Sequence, residues 1–247
     1  MKYGKLSLSF LMIIFFIGCG AAPQIINKEY KYEKMVFGTH NFTFEIHLEN
    51  IGNSGRIHNL INRLIYDNRN FDEYMEYTEK NFMENINEAD YPPMIDEDGA
   101  EYFYHSYLGK EYSIIFNNDT HVIFEYKLYF YNSGTAHGYY WIEYFIIDLK
   151  EEKILDINDL IYPIPEDLLQ RYLESNNDIG YYLWARNIWP PDTVNFCNEN
   201  IELIWNIYTI TPYSAGIIRI EIQDEIIEQY LTDKGKALVR IIANERR

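Results

Sequence analysis

Asn41-Phe42-Thr43-Phe44-Glu45-Ile46-His47-Leu48-Glu49 alternates without a break. In an extended chain Phe42, Phe44, Ile46 and Leu48 fall on one side. Thr43, Glu45, His47 and Glu49 fall on the other. A period of two predicts a half-buried strand. Residues 30–37 predict its neighbour, joined through Gly38. After the strand, Asn53-Ser54-Gly55 offers helix-capping chemistry. Ile57, Leu60, Ile61, Leu64 and Ile65 then recur at helical spacing. Phe71, Tyr74, Met75, Phe82 and Ile86 predict a second helix, which Pro92-Pro93 ends. Asp96-Glu97-Asp98-Gly99 reads as an acidic turn. It is no calcium loop, since Met94 and His105 stand where acidic ligands are needed.

Residues 101–148 are almost all strand pattern. Tyr102-Phe103-Tyr104, residues 112–116 and residues 122–131 are separated at Gly109-Lys110 and at Asn117-Asn118-Asp119. Gly134-Thr135-Ala136-His137-Gly138 interrupts, and 140–148 resumes as strand. Lys150-Glu151-Glu152 is a turn, and 156–161 a short capped helix. Pro165 opens another helix, with Glu166 and Asp167 favourable in its first turn. Residues 175–198 are the least regular. Strands follow at 201–210 and 217–222, then a helical ending over 224–243, interrupted near Thr232-Asp233-Lys234-Gly235. Strand runs with helices grouped between them predict an α+β fold, with antiparallel sheets, helices packed on one side and two small subdomains.

The composition narrows the function. The chain has 247 residues and a net charge of −17, from 21 Lys plus Arg and 38 Asp plus Glu. At 47% hydrophobic it can bury a core, which excludes wholesale disorder. The acid excess argues against nucleic acid and against basic docking on anionic lipid. It suits a cationic partner, or simply solubility. Cys19 and Cys197 are too few for a disulfide framework.

Residues 1–19 read as an address. Lys2 and Lys5 precede an apolar run over 6–17, ended by Gly18-Cys19. That is the basic, apolar, small-residue order of a signal peptide. The run is shorter than the roughly twenty residues of a membrane span. Phe16-Ile17-Gly18-Cys19 resembles a bacterial lipobox, with Cys19 as the lipid attachment site. The expected organisation is a signal peptide over 1–18, a tether over 19–28, an N-terminal α+β subdomain over 29–125 and a C-terminal one over 126–247. Losing Lys2 and Lys5 with the signal takes the net charge from −17 to −19. The expectation is a lipid-anchored, extracytoplasmic protein of the cell envelope.

Two motifs carry a resemblance. The first is residues 129–138, Tyr-Phe-Tyr-Asn-Ser-Gly-Thr-Ala-His-Gly, followed by Phe145-Ile146-Ile147-Asp148-Leu149-Lys150 and Ile157-Asn158-Asp159-Leu160-Ile161. The second is residues 208–216, Tyr-Thr-Ile-Thr-Pro-Tyr-Ser-Ala-Gly. Together they resemble the extracytoplasmic domain pair of the lysozyme-sensing anti-sigma-V factor. Such domains also accompany peptidoglycan deacetylases and occur in bacterial lipoproteins of unknown function. Thr135, Ser214 and Ile161 depart from the usual residues. The resemblance implies an α+β fold and, in its sensor members, lysozyme binding. It implies no catalysis by these domains.

The motifs name the candidate site: Gly134, Ala136, His137 and Gly138 in one turn, and Pro212, Tyr213 and Gly216 in the other. Gly134 and Gly138 fit a tight turn through glycine's conformational freedom. His137 reads either as a structural imidazole bonding turn carbonyls or as a ligand contact. Tyr213 reads as a packing anchor or an exposed contact. His40 and His47 fall on opposite faces of a regular strand, so they make no zinc pair. No metal, cofactor or catalytic residue is assigned, because no nucleophile elbow, H-E-x-x-H or phosphate loop is present. The expected function is non-catalytic binding of an envelope ligand, with lysozyme or another cationic muramidase as the sharpest candidate. The alternatives are a peptidoglycan-binding accessory domain and a hydrolase with an unrecognised site.

Overall fold

β1 (Gln24–Val36) and β2 (His40–Gly52) pair antiparallel over their whole length. The computed structural model describes residues 24–36, 40–52, 55–84, 94–95, 99, 101–102, 104–133, 135–175, 188–197 and 200–245. The signal segment, Cys19 and Gly134 lie outside them. Pairing starts at Gln24, opposite Gly52. The expected tether over 19–28 therefore gives way to strand from Gln24, because β2 offers an edge that far.

Two helices follow, α1 (Gly55–Tyr66) and α2 (Phe71–Glu84). A small antiparallel pair forms from β3 (Met94–Ile95) and β4 (Glu101–Tyr102); of the expected acidic turn between them only Gly99, with φ +83°, lies within the described residues. β5 (Tyr104–Asn117) then returns beside β2 in parallel, with His40 next to Tyr104 and Leu48 next to Tyr112. The sheet is thus mixed rather than purely antiparallel. The long helical connection permits this, since parallel neighbours need a crossover.

β6 (His121–Asn132), β7 (Tyr139–Asp148) and β8 (Lys153–Leu155) complete a six-stranded sheet in the order β1-β2-β5-β6-β7-β8. Contacts divide the described residues into two units. One runs to Tyr112 and takes in Leu128–Tyr139; the other holds Ser113–Lys127 and everything from Tyr140 on. The units interleave along the chain, where the sequence reading places one cut at 125/126.

In the first unit the alternation of β2 is obeyed. Phe42, Phe44, Ile46 and Leu48 are 0–2% exposed, while His47 is exposed. The helices cover the apolar side. Tyr32 donates to Glu79 of α2 at 2.7 Å, Lys34 pairs with the same carboxylate, and Lys110 reaches the Tyr74 hydroxyl. The Tyr66 and Tyr74 rings pack 5.6 Å apart.

The second unit has its own core. Asn118 Oδ1 closes the β5–β6 turn by accepting from the Thr120 and His121 amides, each at 2.8 Å. After β8 come α3 (Ile157–Leu160), with Asp156 and Asp159 in a capping box, and α4 (Glu166–Ser175). A three-stranded antiparallel sheet follows, made of β9 (Thr193–Asn195), β10 (Ile201–Trp205) and β11 (Ile218–Ile222). β9 lies in the stretch read as irregular. β10 stops at Trp205 instead of reaching Ile210, and Asn206 is the reason. β8 pairs with Ile146–Asp148 of β7, and among the described residues no strand pairs with the earlier part of that edge. Asn206, fully buried, fills in: its Oδ1 accepts from the Ile142 amide at 2.7 Å and its Nδ2 donates to the Ile142 carbonyl at 2.9 Å. Thr193 Oγ1 accepts from the Tyr144 amide at 3.0 Å. Asp192 holds this arrangement, accepting from the Asn206 amide and from Thr209 Oγ1, both at 2.7 Å.

The chain ends in α5 (Asp224–Ile227), a 3-10 turn at Glu228–Tyr230 and α6 (Asp233–Glu245). α6 sits close on α3. The Thr232 amide donates to the Leu160 carbonyl at 2.9 Å, and a Cβ on Gly235 would lie 2.1 Å from that same oxygen. Gly235→Ala should therefore destabilise the protein by about 1–3 kcal/mol. The roughly 1 kcal/mol gain in helix propensity does not compensate. Urea unfolding reads this directly, and a midpoint at or above that of the parent would show that α6 can shift away from Leu160.

Glu143 supplies a second test. Burial pushes its carboxyl above the ordinary range and the Asp192 charge adds to this, against a bond from Trp141. The fold thus favours the protonated acid. That contribution is full below the unfolded carboxyl pKa and is lost as pH rises through the folded one. Glu143→Gln should raise the urea midpoint at pH 7 and leave it nearly unchanged at pH 4. Equal midpoints at pH 7 would contradict the assignment.

Candidate functional site

The side of the first unit's sheet opposite α1 and α2 has a composition opposite to its core. In register across β1, β2 and β5, its rows are Met35–Asn41–His105, Glu33–Thr43–Tyr107, Lys31–Glu45–Gly109 and Glu29–His47–Glu111. Glu49 extends it along β2. Five glutamates thus stand against one lysine, and Glu29, Lys31, Glu33, His47 and Glu111 are exposed. Lys31 Nζ lies 3.0 Å from both Glu33 Oε1 and Glu45 Oε1. Burial pushes the Glu45 carboxyl up, but bonds from Lys31 and Tyr107 outweigh it and hold it below the ordinary carboxylate range. Glu45 is therefore held as a carboxylate at neutral pH.

Two tyrosines lie flat where this face borders β6, Tyr107 on β5 and Tyr129 on β6, and two residues along β6 from Tyr129, Lys127 pairs with Glu125. A Cβ on Gly109 would be 2.7 Å from the Tyr107 ring, and one on Gly138 would be 2.8 Å from Tyr129 Oη and 2.9 Å from its ring carbons. Each ring occupies the space that a side chain would need. The rings are 5.6 Å apart at 52°, and Tyr107 Oη donates to Glu45 Oε2 at 2.9 Å. Burial and that bond push the Tyr107 hydroxyl up to about 12. Tyr129 remains 41% exposed.

This assigns Gly138 a role different from the expected one. Among the described glycines only Gly99 and Gly216 have positive φ. Gly138 is needed for the Tyr129 ring rather than for its backbone angles. In the same turn, Ala136 and His137 are exposed. Thr135 Oγ1 donates to the Asn132 and His137 carbonyls at 2.6 and 3.1 Å, and His137 Nδ1 lies 3.3 Å from the Gly138 carbonyl. Gly109-Lys110, expected as a break, is continuous strand because the Tyr107 ring covers the bare backbone.

The second motif lies in the other unit. Pro212 precedes a 3-10 turn at Tyr213–Ala215, closed by the Gly216 amide on the Tyr213 carbonyl at 2.9 Å. Gly216 has φ +71°, so here the backbone itself requires glycine. Tyr213 is half-buried against Tyr208, with ring centroids 6.0 Å apart. Tyr208 is held at φ +68° and is 44% exposed.

One arrangement has the look of a nucleophile and its base. His40 Nε2 lies 2.7 Å from Ser106 Oγ, which in turn bonds Asn132 Oδ1. Both His40 and Ser106 are 0% exposed, and burial lowers the imidazole pKa, with the charge of His105 adding to this. The chain His40–Ser106–Asn132 ties three strands together from inside. Among the described residues, no three His, Cys, Asp or Glu side chains converge on a metal-sized site.

Among solved structures the chain is similar to a member of the DUF3298 family from Bacteroides fragilis, at 19% identity and a TM-score of 0.61, covering 86% of this chain and 94% of that one. It is also similar to a DUF3298 family protein from Pseudomonas aeruginosa, at 16% identity and a TM-score of 0.55, covering 86% and 95%. No family profile and no curated protein matches the chain. At these identities the likeness is one of fold, and the chain shares the α+β fold of those two proteins.

Proposed function

We propose that this protein is a non-catalytic, lipid-anchored protein of the cell envelope that binds a cationic extracytoplasmic protein on the open face of β1, β2 and β5. The observation that carries this reading is the face itself. It sets five glutamates, three of them exposed, against one lysine, with the Tyr107 and Tyr129 rings seated on backbone beside them. Opposite charge raises encounter rates and fixes orientation, and tyrosines are favoured anchors at protein interfaces. The signal-like segment over 1–18 and Cys19 support the anchor. The resemblance of residues 129–161 and 208–216 to the lysozyme-sensing domains makes a cationic muramidase such as lysozyme the sharpest candidate.

Calorimetric titration of the protein from Gln24 onward with a C-type lysozyme tests this, with an equally basic unrelated protein as control. The expected result is saturable binding to lysozyme alone, tighter than about micromolar, or −8 kcal/mol. It should weaken between low and physiological salt. Equal heats with both basic proteins would reduce the reading to bulk charge. No heat with either would refute it.

A further inference from the structure

We infer that Tyr107 and Tyr129 form a receptor for an arginine side chain where the acidic face borders β6. The inference deepens the reading above by naming the group that the partner presents there. Gly109 and Gly138 leave bare backbone, and each tyrosine ring lies down on it. Tyr107 is further fixed by its 2.9 Å bond to Glu45, which Lys31 holds in turn at 3.0 Å. A ring that is already seated loses little side-chain freedom when a ligand arrives. Glycine at 109 and 138 thus prepares a flat aromatic surface before any partner is present.

The surroundings select the occupant. Glu33 and Glu111 lie in the register rows on either side of the Lys31–Glu45–Gly109 row, and Lys127, two residues from Tyr129 on β6, is already paired with Glu125. A cation over a tyrosine face is attracted by the ring, and the surrounding carboxylates add to that attraction. Guanidinium and ammonium differ here. Guanidinium is planar, weakly hydrated and able to stack on a ring while its edge forks towards a carboxylate. Ammonium is a compact, strongly hydrated charge that gains mostly from the carboxylates. A face that was merely acidic would not distinguish the two.

The test uses octa-arginine and octa-lysine peptides of equal charge, titrated into the purified protein at physiological salt and followed by NMR of the tyrosine ring protons. The arginine peptide should bind about three-fold tighter or better. It should shift the Tyr107 and Tyr129 ring signals in the unmodified protein, and the lysine peptide should leave them nearly still. Tyr129→Phe keeps the ring and should keep the preference. Tyr129→Ala, checked for folding by its amide spectrum, should bring the two affinities together without weakening the lysine peptide. Equal affinities in the parent protein, or still rings with both peptides, would overturn the receptor. So would chitotetraose moving the same rings when octa-arginine does not. An arginine preference without lysozyme binding would sink the proposed partner and leave the receptor standing. Lysozyme binding without the preference would do the reverse.

Discussion

The division of β2 into two faces governs the first unit. Successive side chains of a strand must point to opposite sides. Once Phe42, Phe44, Ile46 and Leu48 are buried under α1 and α2, Thr43, Glu45, His47 and Glu49 are committed to the other side. A one-residue slip in either pairing would exchange the two sets. The register of β1 and β5 therefore decides the core and the composition of the open face together. A charge cluster assembled in this way sits on a rigid frame, because moving any of its members would disturb the packing beneath.

A different constraint shapes the second unit. β7 outruns its neighbour β8, and unpaired backbone groups in a buried setting are costly. Asn206 and Thr193 supply the missing partners with side chains, and Asp192 anchors the segment that carries Asn206. The apolar run 201–210 consequently breaks after Trp205, and the chain turns through the left-handed Tyr208 into the 3-10 turn of the second motif. The glycine of that motif serves geometry. The glycines beneath Tyr107 and Tyr129 serve contact.

The legible parts of the sequence were those where one periodicity dominated. The alternation at 41–49, the helical spacing at 57–65 and the capping chemistry at Asp156 each correspond to the observed element. What escaped was long-range. Gly109 reads as a strand breaker until Tyr107, two residues away, is seen lying across it. Gly138 and Gly216 look alike in their motifs, yet only Gly216 needs a positive φ. β9 has three residues, too few to show a period. The parallel pairing of β2 with β5 depends on a crossover that leaves no local mark. The candidate site divides in the same way. The motif turns were visible, whereas the tyrosine pair between β5 and β6 emerges only when register brings residues 107 and 129 together.

The central claim is that the acidic open face is the binding surface. Carbodiimide labelling of carboxylates, read by mass spectrometry with and without lysozyme, tests it most directly. The account predicts that labelling of Glu29, Glu33, Glu49 and Glu111 falls on binding, while labelling of Glu174 on α4 and Glu245 on α6 is unchanged. Protection at Glu174 and Glu245 with Glu29, Glu33 and Glu111 still reactive would place the partner elsewhere and contradict the claim.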